Sequence, residues 1–262
     1  LLFSSKRNAH TVSLERTYDE DLFYSVRDMG FWLDAKEFKN INTSYNEGSA
    51  SLSRDGKYLY FARCNSPDSY GSCDIFVAEN LGEKGWGNVH NLGKNINSTA
   101  WDSHPSLSHS GDTIFFTSDR LGGFGLADIY YSVKDAGGNW QPAKNMGPII
   151  NTRNNDVSPF FHHKFNVLYF SSNGQPLNFG NFGIYKSYLH NNLWEEPRNI
   201  GPLVNGEGSE YYFTIDSESE EIYYARSESD PNDLDLHSFP VPMEAHPEAV
   251  ITLKGTLKES GT

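Results

Sequence analysis

The stretch ASLSRDGKYLYF at residues 50–61 holds two runs of strand-forming residues separated by the dipeptide Asp55-Gly56. Asp-Gly between two such runs is a strong hairpin signal, because these residues tolerate the positive φ angles of a tight turn. The pattern returns as PSLSHSGDTIFF at 105–116 and as PFFHHKFNVLYF at 159–170. A hairpin that occurs three times in one chain indicates a repeat architecture.

Other anchor residues keep this repeat in phase over four copies. Tryptophans recur at intervals of 54 residues, at Trp32, Trp86, Trp140 and Trp194. An asparagine recurs at Asn42, Asn97, Asn151 and Asn205. Five positions after each asparagine comes an acidic residue: Glu47, Asp102, Asp156 and Glu210. Chance does not hold several anchors in phase in this way, so each copy is one structural unit.

Each unit contains four candidate strands and no helical periodicity. In the second unit the strands are expected at 49–53, 57–64, 73–80 and 86–93, with turn-forming residues between them. Four short antiparallel strands in about 50 residues is typical of a propeller blade. The predicted fold class is therefore all-β, a β-propeller of four-stranded antiparallel blades.

The predicted domain organisation follows the repeat. The units run over 1–43, 44–98, 99–152, 153–206 and 207–240, the first without its first strand and the last without its last. A propeller commonly closes by building one blade from both termini, so an upstream segment is expected to supply these strands. Five blades is the first count, and six applies if a whole blade lies upstream. Prolines mark 241–262 as a linker and the first strand of a following domain.

Three segments carry a resemblance to a known family: SLSRDGKYLYFARC with GSCDIFVAEN, SDRLGGFGLADIYYS and NWQPAKNMGPIINT. They resemble the TolB-type, WD-like propeller repeats of OmpA-family envelope proteins of Gram-negative bacteria, over residues 1–240. The tail ITLKGTLKESGT is similar to the opening strand of a carboxypeptidase-regulatory-like domain. The resemblance implies a periplasmic, outer-membrane-associated protein, and some relatives serve type IX secretion and gliding. The fourth unit departs from the pattern, because HHKFN replaces the Asp-Gly turn and Gly183 replaces an aspartate.

Composition excludes two classes of partner. The 262 residues carry a formal net charge of −13, with no basic patch or stripe, so no nucleic-acid partner is expected. No run approaches 18 apolar residues, so no direct membrane insertion is expected in this segment.

The four repeated acids are the first candidate site residues. Glu47, Asp102, Asp156 and Glu210 are expected to ring one mouth of the central channel, where they could bind a cation, a cationic ligand or a partner. The structural alternative, which the repetition favours, is that each carboxylate accepts hydrogen bonds from its own entry loop. Trp101 stands beside Asp102 and outside the tryptophan period, so it joins the candidate partner-binding residues. The periodic tryptophans are expected to pack between blades.

Cys64 ends one strand and Cys73 begins its hairpin partner, and they are the only cysteines. Strands paired at 4.7–4.9 Å bring such residues within disulfide range, so a Cys64–Cys73 bond is predicted. Two cysteines alone lack the ligands of a metal site. No metal site and no cofactor are predicted.

Two functions from different classes remain. The first is a non-enzymatic scaffold that binds envelope protein partners in the periplasm, and it is the main prediction. The alternative is a glycan-binding or glycan-cleaving propeller. Cleavage needs two carboxylates in different environments, and the sequence shows no convincing acid in the channel that breaks the repeat.

Overall fold

The computed structural model describes residues 1–6, 20–162, 164–229 and 233–248. Small antiparallel sheets are arranged as five blades in a ring around a central channel, and the only helical element of the described residues is a short 3-10 turn, Gly82–Lys84. The prediction of an all-β, five-bladed propeller is confirmed. None of the described helical residues forms a segment long and apolar enough to cross a membrane.

The strands follow the expected order from the channel outward in each blade. Blade 1 contains Leu2–Ser5, Asp21–Tyr24 and Lys36–Glu37, with a small hairpin of Arg27–Asp28 and Phe31–Trp32. Blade 2 contains Asn46–Leu52, Tyr58–Cys64, Cys73–Asn80 and Trp86–Asn91. Blade 3 contains Asp102–Leu107, Thr113–Ser118, Asp128–Val133 and Lys144–Asn145. Blade 4 contains Asp156–His162, Val167–Ser172 and Gly183–His190, which also pairs with Leu193–Trp194 and Arg198–Asn199. Blade 5 contains Ser209–Ile215, Glu221–Ser227 and Asp235–Pro240.

The turns between first and second strands explain why the sequence of this hairpin can vary. Gly56 and Gly111 take positive φ angles of 69° and 71° in blades 2 and 3. In blades 4 and 5 the positive φ is taken by Asn166 at 52° and by Ser219 at 62°. Asparagine tolerates this conformation better than most residues, so blade 4 keeps its hairpin without an Asp-Gly turn.

The repeated asparagines fasten the end of each blade to its third strand. Each side-chain amide accepts a hydrogen bond from the main-chain N–H of one residue and donates a hydrogen bond to the carbonyl oxygen of the same residue. The pairs are Asn42 with Leu22, Asn97 with Ile75, and Asn205 with Ile184; Asn151 bonds Ile129 in the same way. The asparagine period is therefore a structural device of the fold.

The periodic tryptophans pack between blades, as predicted. Each ring contacts an aromatic ring of the neighbouring blade, in the pairs Trp86–Phe38, Trp140–Tyr60, Trp194–Phe115 and Trp32–Tyr223. The last pair, together with the ion pair between Arg27 and Glu221 at 2.5 Å, joins blade 1 to blade 5 and closes the ring.

The segment after the last strand docks against blade 4. Ala245 is fully buried, and its carbonyl oxygen accepts a hydrogen bond of 2.7 Å from Tyr169 Oη. Lys186 Nζ donates to the carbonyl oxygen of His246 at 2.8 Å. The following-domain strand predicted beyond residue 248 lies outside the described residues.

Candidate functional site

Four inner strands carry the same irregularity where they face the channel. A β-bulge follows each repeated acid, and the residue two positions after the acid has a positive φ. These bulge residues are Ser49, His104, Ser158 and Tyr212, with φ between 49° and 55°. Non-glycine residues pay a steric penalty in this region, and bulges commonly re-aim side chains near functional sites.

The bulge side chains meet in one hydrogen-bonded chain across the channel. The Ser158 main-chain N–H donates to His104 Nδ1 at 3.2 Å, and His104 Nε2 lies 3.2 Å from Tyr212 Oη. Ser49 in turn hydrogen-bonds the Tyr212 side chain. Burial lowers the pKa of His104 to about 3, so the ring stays neutral. Because Nδ1 accepts a hydrogen bond from the Ser158 N–H, the neutral ring carries its hydrogen on Nε2, which donates to Tyr212 Oη.

This chain divides the channel into two cavities. His104 and Tyr212 line both an upper cavity of about 570 Å³ and a lower cavity of about 670 Å³. The upper cavity, called the mouth below, has His104 and Tyr212 as its floor. Its walls are Trp101, Asp119, Asn155, Phe182 and Tyr211, joined by smaller apolar residues.

Trp101 and Asp119 are joined by two hydrogen bonds at the rim of the mouth. The Trp101 main-chain N–H donates to Asp119 Oδ1 at 2.7 Å, and the Asp119 N–H donates to the Trp101 carbonyl oxygen at 3.2 Å. The Trp101 ring also stands edge-on to His104, with centroids 4.9 Å apart. The tryptophan is therefore fixed against the floor of the mouth, as the prediction of Trp101 at a channel mouth requires.

Both residues break the repeat. The positions equivalent to Trp101 are held by Asn46, Asn155 and Ser209, and the positions equivalent to Asp119, which pair with them, are held by Cys64, Asn173 and Ser227. The sequence analysis found no convincing repeat-breaking acid in the channel, and Asp119 corrects that conclusion. Asp119 was missed because it lies at the end of the second strand of blade 3. It is therefore distant in sequence from the start of the inner strand, although both lie beside the mouth.

The repeated acids are buried in their own blades, and none lines either cavity. Glu47 accepts hydrogen bonds from Thr43 N–H at 3.0 Å and from Arg63 Nε at 2.7 Å. Asp102 is bonded in the same way by Ser98 N–H at 2.6 Å and Arg120 Nη2 at 2.5 Å. These contacts match the structural alternative, and ligand binding by the four carboxylates stays an untested prediction.

The other two acids keep the hydrogen bond from their entry loop, but Asp156 has a glutamine where the first two have an arginine, and Glu210 has a more distant arginine. Asp156 accepts from Thr152 N–H at 2.5 Å, yet Gln175 occupies the place of the arginine and donates to the Ile150 carbonyl oxygen instead. Burial raises the pKa of Asp156, as it also does that of Glu47. Glu210 lies 3.5 Å from Arg226 Nε, and burial raises the pKa of Glu210 to about 7.

Glu210 should make stability fall as pH rises. Its folded pKa of about 7 lies above its ordinary value of 4.5, so its stabilising contribution is complete below pH 4.5 and lost as pH rises to about 7. Between these limits we expect the wild type to lose about 2 kcal/mol relative to Glu210→Gln, which stays neutral. Urea unfolding at pH 4.5, 6 and 7.5 measures this. Glu228→Gln is the matched control, because Glu228 contacts the same arginine but is exposed. Parallel pH profiles for wild type and Glu210→Gln would contradict the prediction.

Cys64 and Cys73 form the predicted disulfide. The loop that it closes lies beside the mouth, because Ser72 N–H donates to the Ala100 carbonyl oxygen and Cys73 pairs with Trp101 through the main chain. The disulfide therefore braces the segment that presents Trp101. In the described part of the chain, no three His, Cys, Asp or Glu side chains gather in a metal-binding arrangement.

Comparisons with solved structures identify the fold. An arabinanase of Bacillus subtilis, Arb43A, shares 13% identity with a TM-score of 0.54, covering 91% of this chain and 88% of that one. An α-L-arabinofuranosidase from Lactobacillus brevis shares 12% identity with a TM-score of 0.52, covering 79% and 78%. The NanB sialidase of Streptococcus pneumoniae shares 12% identity with a TM-score of 0.51, covering 90% of this chain and 38% of that one. No family model matches, and neither does any curated protein sequence.

These neighbours overturn the main functional prediction. The sequence analysis favoured a non-enzymatic scaffold, whereas these three solved propellers are an arabinanase, an α-L-arabinofuranosidase and a sialidase. The repetition of the acids suggested that the protein is not an enzyme. Those acids are buried within their blades, however, so their repetition gives no information about the residues that line the mouth. Identities of 12–13% establish the fold alone, so any action on glycans is a proposal.

Proposed function

We propose that this propeller acts on glycans and binds a carbohydrate in the mouth. The observation that carries the proposal is a group of aromatic and polar side chains around one cavity, in which Trp101 and Asp119 break the repeat: Trp101, Phe182, Tyr211 and Tyr212 with Asp119 and Asn155. Aromatic faces pack against the apolar faces of sugar rings, while fixed polar groups accept and donate to hydroxyls. A cavity of about 570 Å³ is in the range of small-ligand sites.

The lining favours an uncharged sugar. No lysine or arginine is present among the described residues that line the mouth, and Asp119 is its only carboxylate. An anionic sugar would enter without a countercharge and next to Asp119, which costs desolvation energy and adds repulsion. Neutral oligosaccharides are therefore the ligand class that these residues fit best.

Asp119 favours cleavage as a second function of the same site. Its Oδ1 is engaged by the Trp101 N–H, so the carboxyl group is held in a fixed orientation at the rim. A carboxyl group so placed can transfer a proton to or from a glycosidic oxygen. Cleavage also needs a group that attacks the sugar or activates water, and the described lining of the mouth holds no second carboxylate. That role would fall to a tyrosine hydroxyl, as it does in some glycosidases, and Tyr211 and Tyr212 both line the mouth.

One set of variants distinguishes glycan binding from glycan cleavage. We expect Trp101→Ala to weaken binding of neutral oligosaccharides about tenfold, because it removes one stacking face. We expect Asp119→Asn to lower turnover at least about 100-fold with little change in binding. Arabino- and cello-oligosaccharides serve as neutral probes and oligogalacturonides as the anionic probe, followed by calorimetry and by release of reducing ends.

Matched controls come from the exposed hairpin of blade 1. Phe31→Ala removes an exposed aromatic ring, and Asp34→Asn removes an exposed carboxylate, both away from the mouth. Glycan binding is disproved if no probe binds, or if Trp101→Ala binds as well as Phe31→Ala. Equal turnover by the Asp119→Asn and Asp34→Asn variants would show that Asp119 takes no part in cleavage.

We infer a TolB-type propeller of an OmpA-family envelope protein in the periplasm, at the outer membrane, where an envelope protein partner is also expected. The disulfide supports an oxidising compartment, because such bonds are rare in the cytosol. Fractionation of the native organism tests the location, and recovery of the protein with free thiols in the cytosol would refute it.

A further inference from the structure

Three loops stand beside the mouth, on the face of the ring where the inner strands begin. Each joins the second strand of a blade to its third strand, and together they are called the rim loops: residues 65–72, 119–127 and 173–182 of blades 2, 3 and 4. Asp119, Leu126 and Phe182 of these loops line the mouth. A glycan chain that leaves the mouth on this side therefore passes over the rim loops.

One aromatic residue recurs at the same position in each rim loop. It stands five residues before the third-strand isoleucine that is bonded by a repeated asparagine. About half of its surface is exposed: Tyr70 at 54%, Phe124 at 49% and Phe179 at 51%. Within the described residues, none of the three belongs to an apolar cluster of the core, in contrast to the periodic tryptophans of blades 2 to 4. An aromatic side chain that recurs without being used for packing is available to a ligand.

The main chain of the rim loops is held in place, so the rings are presented in fixed positions. Asp74 is fully buried and accepts hydrogen bonds from the N–H of Tyr70 at 2.8 Å and from that of the following glycine at 3.0 Å. Asp128 does the same for Phe124 and its following glycine, at 2.5 and 3.1 Å. In all three loops this glycine lies against main-chain atoms of the next blade's entry loop, with no room for a Cβ atom. A ring on such a loop loses little conformational entropy when it binds.

The other residues of the rim loops fit a neutral ligand that is rich in hydroxyl groups. Although the chain has a net charge of −13, the rim loops contain only three charged residues, Asp68, Asp119 and Arg120. The Arg120 guanidinium is turned into its blade, where it bonds Asp102 at 2.5 Å. Serine hydroxyls and asparagine amides supply most of the remaining polar groups. An anionic polymer or lipid headgroup would meet two carboxylates and an arginine that is already paired, whereas sugars suit aromatic rings among uncharged hydrogen-bonding groups.

We propose that the rim loops are a second carbohydrate-binding surface, on which Tyr70, Phe124 and Phe179 stack against sugar rings of a neutral polysaccharide. Another part of the same polysaccharide chain occupies the mouth, so the inference rests on the proposed function. Because the three rings lie on consecutive blades, a chain that crosses this face can contact more than one of them. Each added contact raises the affinity for a polymer but not for a short glycan. The ligand class is thereby narrowed from glycans of any length to polysaccharides.

A comparison of polymers with short glycans tests this surface. Linear arabinan is compared with arabinobiose, and soluble β-glucan with cellobiose, by calorimetry, with polymer concentrations expressed in disaccharide units. We expect the wild type to bind the polymers at least about tenfold more tightly than the disaccharides, which are short enough to occupy the mouth alone. We expect Phe124→Ala/Phe179→Ala to bind the polymers about tenfold more weakly, with less than about a twofold change for the disaccharides. Met29→Ala/Phe31→Ala is the matched control, because it removes two exposed apolar side chains from the hairpin of blade 1.

Several results would overturn this inference. A wild type that binds the disaccharides, but binds the polymers no more tightly, would leave the mouth as a site for short glycans, and this comparison needs no variant. Equal polymer affinities of the two double variants would show that the exposed rings take no part. Binding to phosphatidylcholine vesicles that only the Phe124→Ala/Phe179→Ala variant loses, without the effect on polymers, would assign the rim loops to a membrane instead. If no probe of either length binds, the proposed function fails and this inference fails with it.

Discussion

Replacement of Gly125 by alanine is expected to lower the free energy of unfolding by about 3 kcal/mol or more. A Cβ atom at this position would lie 2.5 Å from the Thr152 carbonyl oxygen and closer still to that of Asn154. Both neighbours are main-chain atoms of the next blade's entry loop, so no side chain can turn away to make room. The Leu126 N–H also donates to the Asn154 carbonyl oxygen at 2.9 Å, and this bond between blades would be lost if they separated.

Gly48→Ala is the matched control for this change. Its Cβ would contact only the Ser4 side chain, at 3.6 Å, which is an ordinary van der Waals distance. Denaturant unfolding of the two variants and the wild type measures the difference. A loss for Gly125→Ala no larger than that for Gly48→Ala would show that the blades can separate slightly without cost.

Arg63→Ala is expected to cost about 3–5 kcal/mol, because it leaves the Glu47 carboxylate buried without its cation. The side chains of Arg63 and Glu47 are 9% and 0% exposed, with Arg63 Nε 2.7 Å from Glu47 Oε1. The guanidinium also lies over the Phe76 ring at 4.9 Å and bonds the Ile41 carbonyl oxygen at 2.8 Å. Its loss therefore removes an ion pair, a stacking contact and a loop anchor together.

A double-mutant cycle isolates the ion pair. Glu47→Gln added to Arg63→Ala should recover about 1–3 kcal/mol relative to the sum of the single changes, because the uncompensated charge is gone. Lys57→Ala is the control, since Lys57 pairs with Asp55 at the surface and should cost less than about 1 kcal/mol. Additive losses in the cycle would mean that Glu47 and Arg63 stabilise the blade independently.

The sequence alone determined the blades. The Asp-Gly hairpins, the asparagine period and the tryptophan period are local or strictly periodic signals, and each corresponds to one contact repeated in every copy. The disulfide was predictable for the same reason, because Cys64 and Cys73 are opposite each other in one hairpin. Periodicity reports on the structural frame, since every unit must make the same contacts to its neighbour.

Only the tertiary structure decided where the candidate site lies. Trp101 precedes the first strand of blade 3, Asp119 follows its second strand and Tyr212 lies in the inner strand of blade 5, and the closed ring brings them to one cavity. The repeated acids looked like a site in the sequence, yet the pairing of each inner strand turns them into the blade and turns the bulge residues into the channel. A sequence repeat shows which contacts all blades share. A binding site is instead made by residues that differ between blades, and these residues come together only when the ring closes.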